Sequence, residues 1–212
     1  MNEKTQKLLR YTDADVQLTA KKTLYNGFFK LDQYQVSHRL FNGDMGPLLT
    51  REIFERGDAV VIMPYDPTSD SVVMIEQFRP GAIRENDSPW LLEFVAGMFS
   101  VDESPLDVAI REAKEEADLD LLAENITPVL KYLSSPGGMT EQIHLFMGIV
   151  DATGVSGVHG LAEENEDILV HVLTREQAMA LLNQGKITNA ATIIGLQWLQ
   201  LNYQHIRLAN KK

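Results

Sequence analysis

Short apolar runs alternate with polar, turn-rich segments along the chain, and this pattern predicts interleaved strands and helices. The runs at 59–63 and 72–75 are β-branched and nearly continuous, which is typical of buried strands. Further strands are predicted at 90–95, 127–133, 143–150 and 168–173. Before this region, turn signals at 25–27 and 42–43 separate extended segments, which indicates a small β-rich portion at the start.

Helical spacing and capping residues predict the helices. Ser104 and Pro105 are typical N-cap and first-turn residues for a helix over 105–117. Thr174 and Gln177 have the spacing of a capping box, and Asn189 is suited to begin a long helix ending near residue 208. Strands with helices between them, after a strand-rich start, predict an α/β sandwich preceded by a β-rich segment.

Composition narrows the class of protein. Apolar residues make up 44% and charged residues 23%, which is ordinary for a globular chain. No apolar run approaches a membrane span, and the first residues lack the apolar core of a secretory signal, so we expect a cytoplasmic protein without a membrane partner. The net charge of −11 argues against non-specific nucleic-acid binding, and the absence of cysteine excludes thiolate chemistry.

An acidic flank on the 105–117 helix is the main chemical signal. Glu112 lies on the same helical face as Glu115 and Glu116, at spacings where like charges repel by about 0.2–0.5 kcal/mol per pair. A divalent cation would remove this repulsion, and carboxylate oxygens favour Mg²⁺. Taken alone, such a run is more often a solvated helix face.

The spacing of residues around the acidic flank matches a longer sequence motif. Six residues fit the pattern G-x5-E-x7-R-E-U-x-E-E-x-G-U, where U is bulky and apolar: Gly97, Glu103, Arg111, Glu112, Glu115 and Glu116. By chance this would occur in roughly one such chain in 10⁵. The pattern is the Nudix box, and the chain resembles the Nudix hydrolases. Two positions depart from it: Ala113 is small, and Asp118 replaces the last Gly, where a positive φ is tolerable for Asp.

The resemblance extends to the bacterial ADP-ribose pyrophosphatases within that family. It rests on segments 24–29, 51–57, 76–79, 90–93, 134–138 and 159–167. It implies a Nudix α/β/α sandwich with a mixed sheet over 58–212, after an N-terminal β-rich dimerisation segment over 1–57. It also implies a homodimer that hydrolyses ADP-ribose to AMP and ribose 5-phosphate with two or three Mg²⁺ ions, or Mn²⁺ in their place.

The resemblance implies a role for each matching residue. Glu164 would be the general base, and Glu115 a further catalytic or metal-supporting carboxylate. The metal would be held by the Ala96 carbonyl, Glu112, Glu116 and Glu166, within a box shaped by Gly97, Glu103 and Arg111. The residues expected to contact substrate are Phe28, Phe29, Arg51, Glu52, Arg56, Arg79, Met98, Ser135 and Glu141.

Alternatives remain open at this point. The box determines which bond is cut but does not determine the nucleobase of the substrate. Another nucleoside-diphosphate sugar, such as GDP-mannose, is therefore a second substrate hypothesis. A sensor that binds ADP-ribose without cleaving it is a hypothesis from another class. Residue by residue, Phe28 and Phe29 could be core, Arg51 and Arg56 surface charges, and 154–167 a flexible connection.

Overall fold

The computed structural model describes residues 8–84 and 88–210, which form two compact units. The first contains the chain up to Arg56 together with Ser135–Glu141, and the second contains Gly57–Ser134 and the chain from Gln142 onward. No helix in the described ranges is both long and apolar enough to cross a membrane.

The first unit is built on a three-stranded antiparallel sheet. Its strands, in spatial order, are β1 (Val16–Asn26), β2 (Lys30–His38) and β3 (Leu49–Glu55). β1 is exposed along its whole length. Segment 135–141 joins this unit through β3, since the Phe54 N–H donates to the Gly138 carbonyl at 2.8 Å. The predicted turn at 42–43 is present, with Gly43 at φ 102°.

An eight-stranded mixed sheet forms the centre of the second unit. Its strands are β4 (Asp58–Asp66), β5 (Ser71–Phe78), β6 (Trp90–Glu93), β7 (Val95–Phe99), β8 (Ile126–Leu133), β9 (Gln142–Ile149), β10 (Gly157–His159) and β11 (Ile168–Thr174). The main path runs β10-β11-β5-β4-β9-β8, with β6 paired to β5 and β7 paired to β4. Only the β4–β9 pairing is parallel among these described strands.

In the described part of the chain three α-helices accompany the sheet, and each begins at a polar cap. They are α1 (Pro105–Ala117), α2 (Arg175–Asn183) and α3 (Ala190–Ala209). The side chains of Ser104, Thr174 and Asn189 each accept a hydrogen bond from a backbone N–H in the first turn of the helix that follows. The predicted helix boundaries are therefore confirmed at these caps.

Alternation along β4 separates two hydrophobic cores. Val61 and Met63 pack with residues of α2 and α3 on one face, whereas Val60 and Ile62 pack with α1 on the other. Successive strand side chains point to opposite faces, so a strand buried on both sides reads as a continuous apolar run. The predicted α/β/α sandwich with a mixed sheet is confirmed.

One local prediction needs correction. The strand predicted over 90–95 is divided into β6 and β7, because the chain leaves β5 at Glu93 and pairs with β4 from Val95. Within segment 154–167 the structure has β10 and a short 3-10 helix at Ala162–Glu164.

Candidate active site

Gly97 brings β7 and α1 close together. It lies on β7 opposite Val60, and a Cβ placed on it would stand 2.2 Å from both Cδ and Oε1 of Glu112. Real Cβ atoms do not approach other atoms so closely, so only glycine leaves room for this carboxylate. Glycine at the start of the box therefore leaves the space that the Glu112 side chain occupies.

Glu116 is the most deeply buried carboxylate of the box. It is 3% exposed, and its Oε2 accepts a hydrogen bond from the Ala96 N–H at 3.0 Å. Burial raises the pKa of Glu116 to about 8, and the charges of Glu112 and Glu166 add to the shift. The hydrogen bond and the charge of Arg79 act in the opposite direction. The negative form of Glu116 therefore lacks a sufficient counter-charge among the described residues.

Glu112 lies beside it, one helical turn earlier. Its Oε1 forms an ion pair with a terminal nitrogen of Arg111 at 3.0 Å. Burial raises the pKa of Glu112 to about 7 despite Arg111, and Glu115, Glu166 and Glu164 raise it further. Two neighbouring carboxylates that resist ionisation favour a divalent cation as their partner.

The loop after β10 carries further acidic residues to α1. The Gly160 N–H donates to the Glu115 carbonyl at 3.2 Å, which joins this loop to the helix. Glu166 is fixed by the Leu161 N–H, which donates to its Oε2 at 3.0 Å. Glu164 is exposed at the end of the short 3-10 helix, although its charge acts on Glu112. The described loop therefore brings two acidic residues to the flank that already carries Glu112 and Glu116.

Arg79 follows β5 and is anchored by a buried acid. Its Nε donates to Glu93 Oε2 at 2.8 Å, and the other oxygen of Glu93 accepts a hydrogen bond from Asn189 Nδ2 at 2.7 Å. Glu93 is only 3% exposed. No role is predicted for Glu93 from the sequence, where its signals are a charged residue at the end of an apolar strand and its place in the matching segment 90–93.

Two further predicted residues of this unit, Glu103 and Met98, have different surroundings. Glu103 closes the turn before α1, since its Oε2 accepts a hydrogen bond from the Ser100 N–H at 2.8 Å. Met98 is 40% exposed, so its side chain is accessible to a ligand. Gln77, which was not predicted, is buried with its Nε2 lacking a hydrogen-bond partner among the described residues.

The other predicted substrate residues belong to the first unit. Arg56 Nε lies 3.1 Å from Glu141 Oε1, an ion-pair distance without hydrogen-bond geometry, and the guanidinium stands 5.3 Å from the Phe29 ring. Phe28 packs edge-on against Phe29 and is 88% exposed. The structure thus brings these four residues together. Three further residues of the prediction are exposed: Arg51, Glu52 and Ser135.

The box residues fit a cation by their chemistry. Among residues 8–84 and 88–210, no three acidic or histidine side chains already converge into a ready metal-binding group. The fit rests on the paired buried carboxylates of Glu112 and Glu116 and on the space that Gly97 leaves for the first of them. Carboxylate oxygens are the hard ligands that Mg²⁺ takes, together with water and phosphate oxygens.

A large cavity lies elsewhere in the second unit. Its volume is about 1040 Å³, and its lining includes Asp66, Asp118 and Arg207 but none of the predicted site residues. Asp66 is satisfied internally, since the backbone N–H groups of Thr68 and Ala152 donate to its carboxylate. The cavity therefore adds nothing to the candidate site.

Comparison with known proteins places this geometry in context. The NUDIX domain family matches residues 55–193. An ADP-ribose pyrophosphatase of Escherichia coli (strain K12) is 55% identical over 193 residues, which is 91% of each chain. An ADP-ribose pyrophosphatase of Haemophilus influenzae is 47% identical over 95% of this chain and 94% of its own.

More distant relatives carry other names. A GDP-mannose pyrophosphatase of Pectobacterium atrosepticum is 33% identical over 86% of this chain and 92% of its own. A solved structure described as an ADP compounds hydrolase superposes with a TM-score of 0.64 at 18% identity, covering 91% of this chain and 96% of that one. The structural likeness supports the fold alone.

Proposed function

Because the chain belongs to the Nudix family, as a hydrolase of its ADP-ribose pyrophosphatase branch, we propose that it cleaves the diphosphate of ADP-ribose. The products would be AMP and ribose 5-phosphate. The observation that carries the proposal is the pairing of Glu112 with the buried Glu116 next to Gly97. The names of the relatives that are 55% and 47% identical support ADP-ribose as the substrate.

We propose Mg²⁺ as the cofactor, two or three ions per site, with Mn²⁺ as an alternative. Glu112, Glu116, Glu166 and the Ala96 carbonyl would hold it, with Glu115 in support. When bound, the metal neutralises diphosphate charge and makes bound water more acidic. This would also let a chain of net charge −11 accept an anionic substrate.

The residues of the chain have separate tasks in this mechanism. The carboxylate of Glu164 would accept the proton of the attacking water. This residue lies on an exposed turn, and its charge acts on Glu112. Arg79 would bind a phosphate oxygen through its planar guanidinium. Gly97 and Arg111 would keep the Glu112 carboxylate in place, through space and charge respectively.

The first unit would bind the nucleoside and form the homodimer. Phe28 and Phe29 offer aromatic surface, and Arg51, Glu52 and Arg56 offer polar groups. Ser135 and Glu141 would also contact substrate, and so would Met98. The fully exposed β1 supports dimerisation through this unit, because an unpaired edge strand is commonly covered by a partner.

A substrate panel with product identification tests the proposal. The protein with Mg²⁺ is incubated with ADP-ribose, GDP-mannose, NADH and a diadenosine polyphosphate, and the products are identified by mass. We expect ADP-ribose to give the highest kcat/KM and to yield AMP and ribose 5-phosphate. A higher kcat/KM for any other compound would overturn the substrate assignment.

Matched variants test the roles of the acidic residues. The double substitution Glu112→Gln and Glu116→Gln should abolish Mg²⁺-dependent turnover without unfolding the protein. Glu164→Gln should lower kcat by about 10²–10⁴-fold, whereas Glu163→Gln, an exposed neighbour in the same turn, should have little effect. Equal losses in the last two variants would refute Glu164 as the base.

GDP-mannose is the second candidate substrate. It is favoured by the 33% identity to a protein named GDP-mannose pyrophosphatase over most of both chains. The box acts on the diphosphate that both compounds share and cannot distinguish them, so the comparison of kcat/KM in the same panel separates the two.

A further inference from the structure

Glu93 is a buried carboxylate with a partner at each oxygen. It is 3% exposed at the end of β6 and accepts one hydrogen bond from Arg79 Nε at 2.8 Å and one from Asn189 Nδ2 at 2.7 Å. A buried charge is tolerated only when it is paired and hydrogen-bonded. The buried carboxylate therefore requires both neighbours to stay in place.

Arg79 is held by the inner nitrogen of its guanidinium. Nε is occupied by Glu93, while the side chain as a whole remains 41% exposed. Guanidinium groups bind phosphate through a planar fork of donors, and the two terminal nitrogens supply four of its five N–H groups. Anchoring through Nε thus fixes the direction of the fork, and its terminal donors have no partner among residues 8–84 and 88–210.

Asn189 links Glu93 to the first turn of α3. Its Oδ1 accepts a hydrogen bond from the Thr192 N–H at 3.0 Å as the N-cap, and its Nδ2 is the group that faces Glu93. Thr192 adds a second connection, because its Oγ1 accepts a hydrogen bond from the Phe94 N–H at 3.2 Å. The point where β6 gives way to β7 is therefore tied to a helix end by two adjacent hydrogen bonds.

The neighbouring charges show why such an anchor is needed. Arg79 acts electrostatically on Glu116, which places it within reach of the acidic flank. Without a partner of its own, the guanidinium would be drawn toward the carboxylates that must bind cations. Glu93 supplies that partner from a site with almost no solvent, where ion pairs are screened least.

We infer that Glu93, fixed by the N-cap residue Asn189, is a positioning residue that directs the Arg79 guanidinium toward the substrate diphosphate. The inference rests on the proposed function, since it takes Arg79 as the phosphate-binding arginine. It adds a buried residue and a helix cap to the substrate-binding apparatus, although neither touches substrate.

A double-mutant cycle between Glu93→Gln and Arg79→Ala tests this role. The carboxamide has no charge and carries an NH2 donor in place of one oxygen, so it cannot accept from Arg79 Nε and Asn189 Nδ2 at its two ends as Glu93 does. We expect Glu93→Gln to lower kcat/KM for ADP-ribose by roughly 10–100-fold, the range of one charge-assisted hydrogen bond. In the Arg79→Ala background the same change should have little further effect, because its consequence passes through Arg79. An equal loss in both backgrounds would show a merely structural role and overturn the inference.

Binding without turnover gives a second measurement. The probe is α,β-methylene ADP-ribose, in which carbon replaces the bridging oxygen, and its Kd is measured by calorimetry with Mg²⁺. Glu93→Gln should raise this Kd at least tenfold. If the wild-type protein neither cleaves ADP-ribose nor binds the probe, the proposed function fails; if it does both and Glu93→Gln is unchanged, only this inference fails.

Asn189→Ser is a third test variant, and it keeps the helix cap. Serine caps helices about as well as asparagine, but its short side chain does not reproduce the Nδ2 donor to Glu93. We expect a raised Kd for the probe with a thermal midpoint close to that of the wild type. If Glu93→Gln does not fold, the Kd of the probe for Asn189→Ser is the test in its place. An unchanged Kd would then contradict the inference.

Discussion

At the scale of single residues, adding or removing one atom at certain positions changes the local packing or hydrogen bonding. Gly97 is the clearest example, since a single added carbon would occupy the place of the Glu112 carboxylate. Gln77 is the opposite case, because its buried amide nitrogen has no acceptor among the described residues. Each position gives a prediction that follows from local geometry.

Gly97→Ala should lower Mg²⁺-dependent kcat by about 100-fold, the usual effect of displacing a catalytic group by about 1 Å. The new Cβ would stand 2.2 Å from Glu112 Cδ, so the carboxylate would have to move. Steady-state kinetics with ADP-ribose measures the effect. Gly81→Ala is the control, because a Cβ there meets nothing within 4 Å. Wild-type activity in Gly97→Ala would contradict the steric account.

Gln77→Leu should raise the free energy of unfolding by about 1 kcal/mol. The near-isosteric side chain removes a buried donor that has no partner, and such a donor keeps its full desolvation cost. Urea denaturation with an unchanged m-value measures the difference. A clear loss of stability would show that the amide has an acceptor in solution.

At the scale of elements, the ends of α1 place the box in the fold. Ser104 begins the helix and Asp118 ends it, in the left-handed conformation at φ 51° and ψ 36°. This is the conformation expected where Asp118 replaces the motif glycine, and the structure confirms it. Asparagine and aspartate enter this region at a smaller cost than other residues that carry a Cβ.

Asp118→Gly should stabilise the protein by about 0.5–1 kcal/mol. Glycine adopts a positive φ without steric cost, and the change removes a negative charge from the unfavourable end of the helix dipole. The lost ion pair with Lys114 is exposed and contributes little. Asp118→Ala is the matched comparison and should destabilise, because alanine fits the left-handed region poorly. Thermal unfolding of both variants measures the contrast, and the reverse order would contradict it.

At the scale of the whole molecule, packing of the second unit's hydrophobic cores makes ionisation of a site carboxylate unfavourable. α1 is held against the sheet by buried residues such as Ala109 and Ala113, and the same packing buries Glu116. Stability from the core therefore holds a carboxylate in a place where its charge is unfavourable. The result is a coupling between pH, metal and stability.

Without metal, raising the pH from about 5 to 8.5 should lower the stability of the wild type. The pKa of Glu112 is raised to about 7 and that of Glu116 to about 8, so the folded protein retains protons that the unfolded chain has released. The contribution is complete below the ordinary glutamate pKa and is lost as the pH passes through 7 and 8, at about 1.4 kcal/mol per pKa unit. Mg²⁺ should restore stability, increasingly so at higher pH, because it binds the ionised carboxylates.

Thermal midpoints across this pH range, with and without Mg²⁺, measure the effect. The variant with Glu112→Gln and Glu116→Gln is the control, and the difference between it and the wild type isolates the two groups from other titrations. A difference that stays constant with pH in the metal-free proteins would contradict the prediction.

The order and kind of most elements in the second unit could be predicted from the sequence alone. Buried strands such as β4 read as apolar runs, and caps such as Ser104 and Thr174 mark helix starts, because both depend on local chemistry. The box spacing likewise predicted Glu112, Glu115 and Glu116 on one helical face, since residues three and four apart share a face in any α-helix.

Only the tertiary structure determined how distant segments meet. Glu93 and Asn189 are 96 residues apart, and nothing in either neighbourhood indicates the other. The division of the predicted 90–95 strand and the membership of 135–141 in the first unit also depend on which strands pair. Local sequence sets backbone preference and exposure to water, whereas contacts between distant residues depend on how the packed layers align.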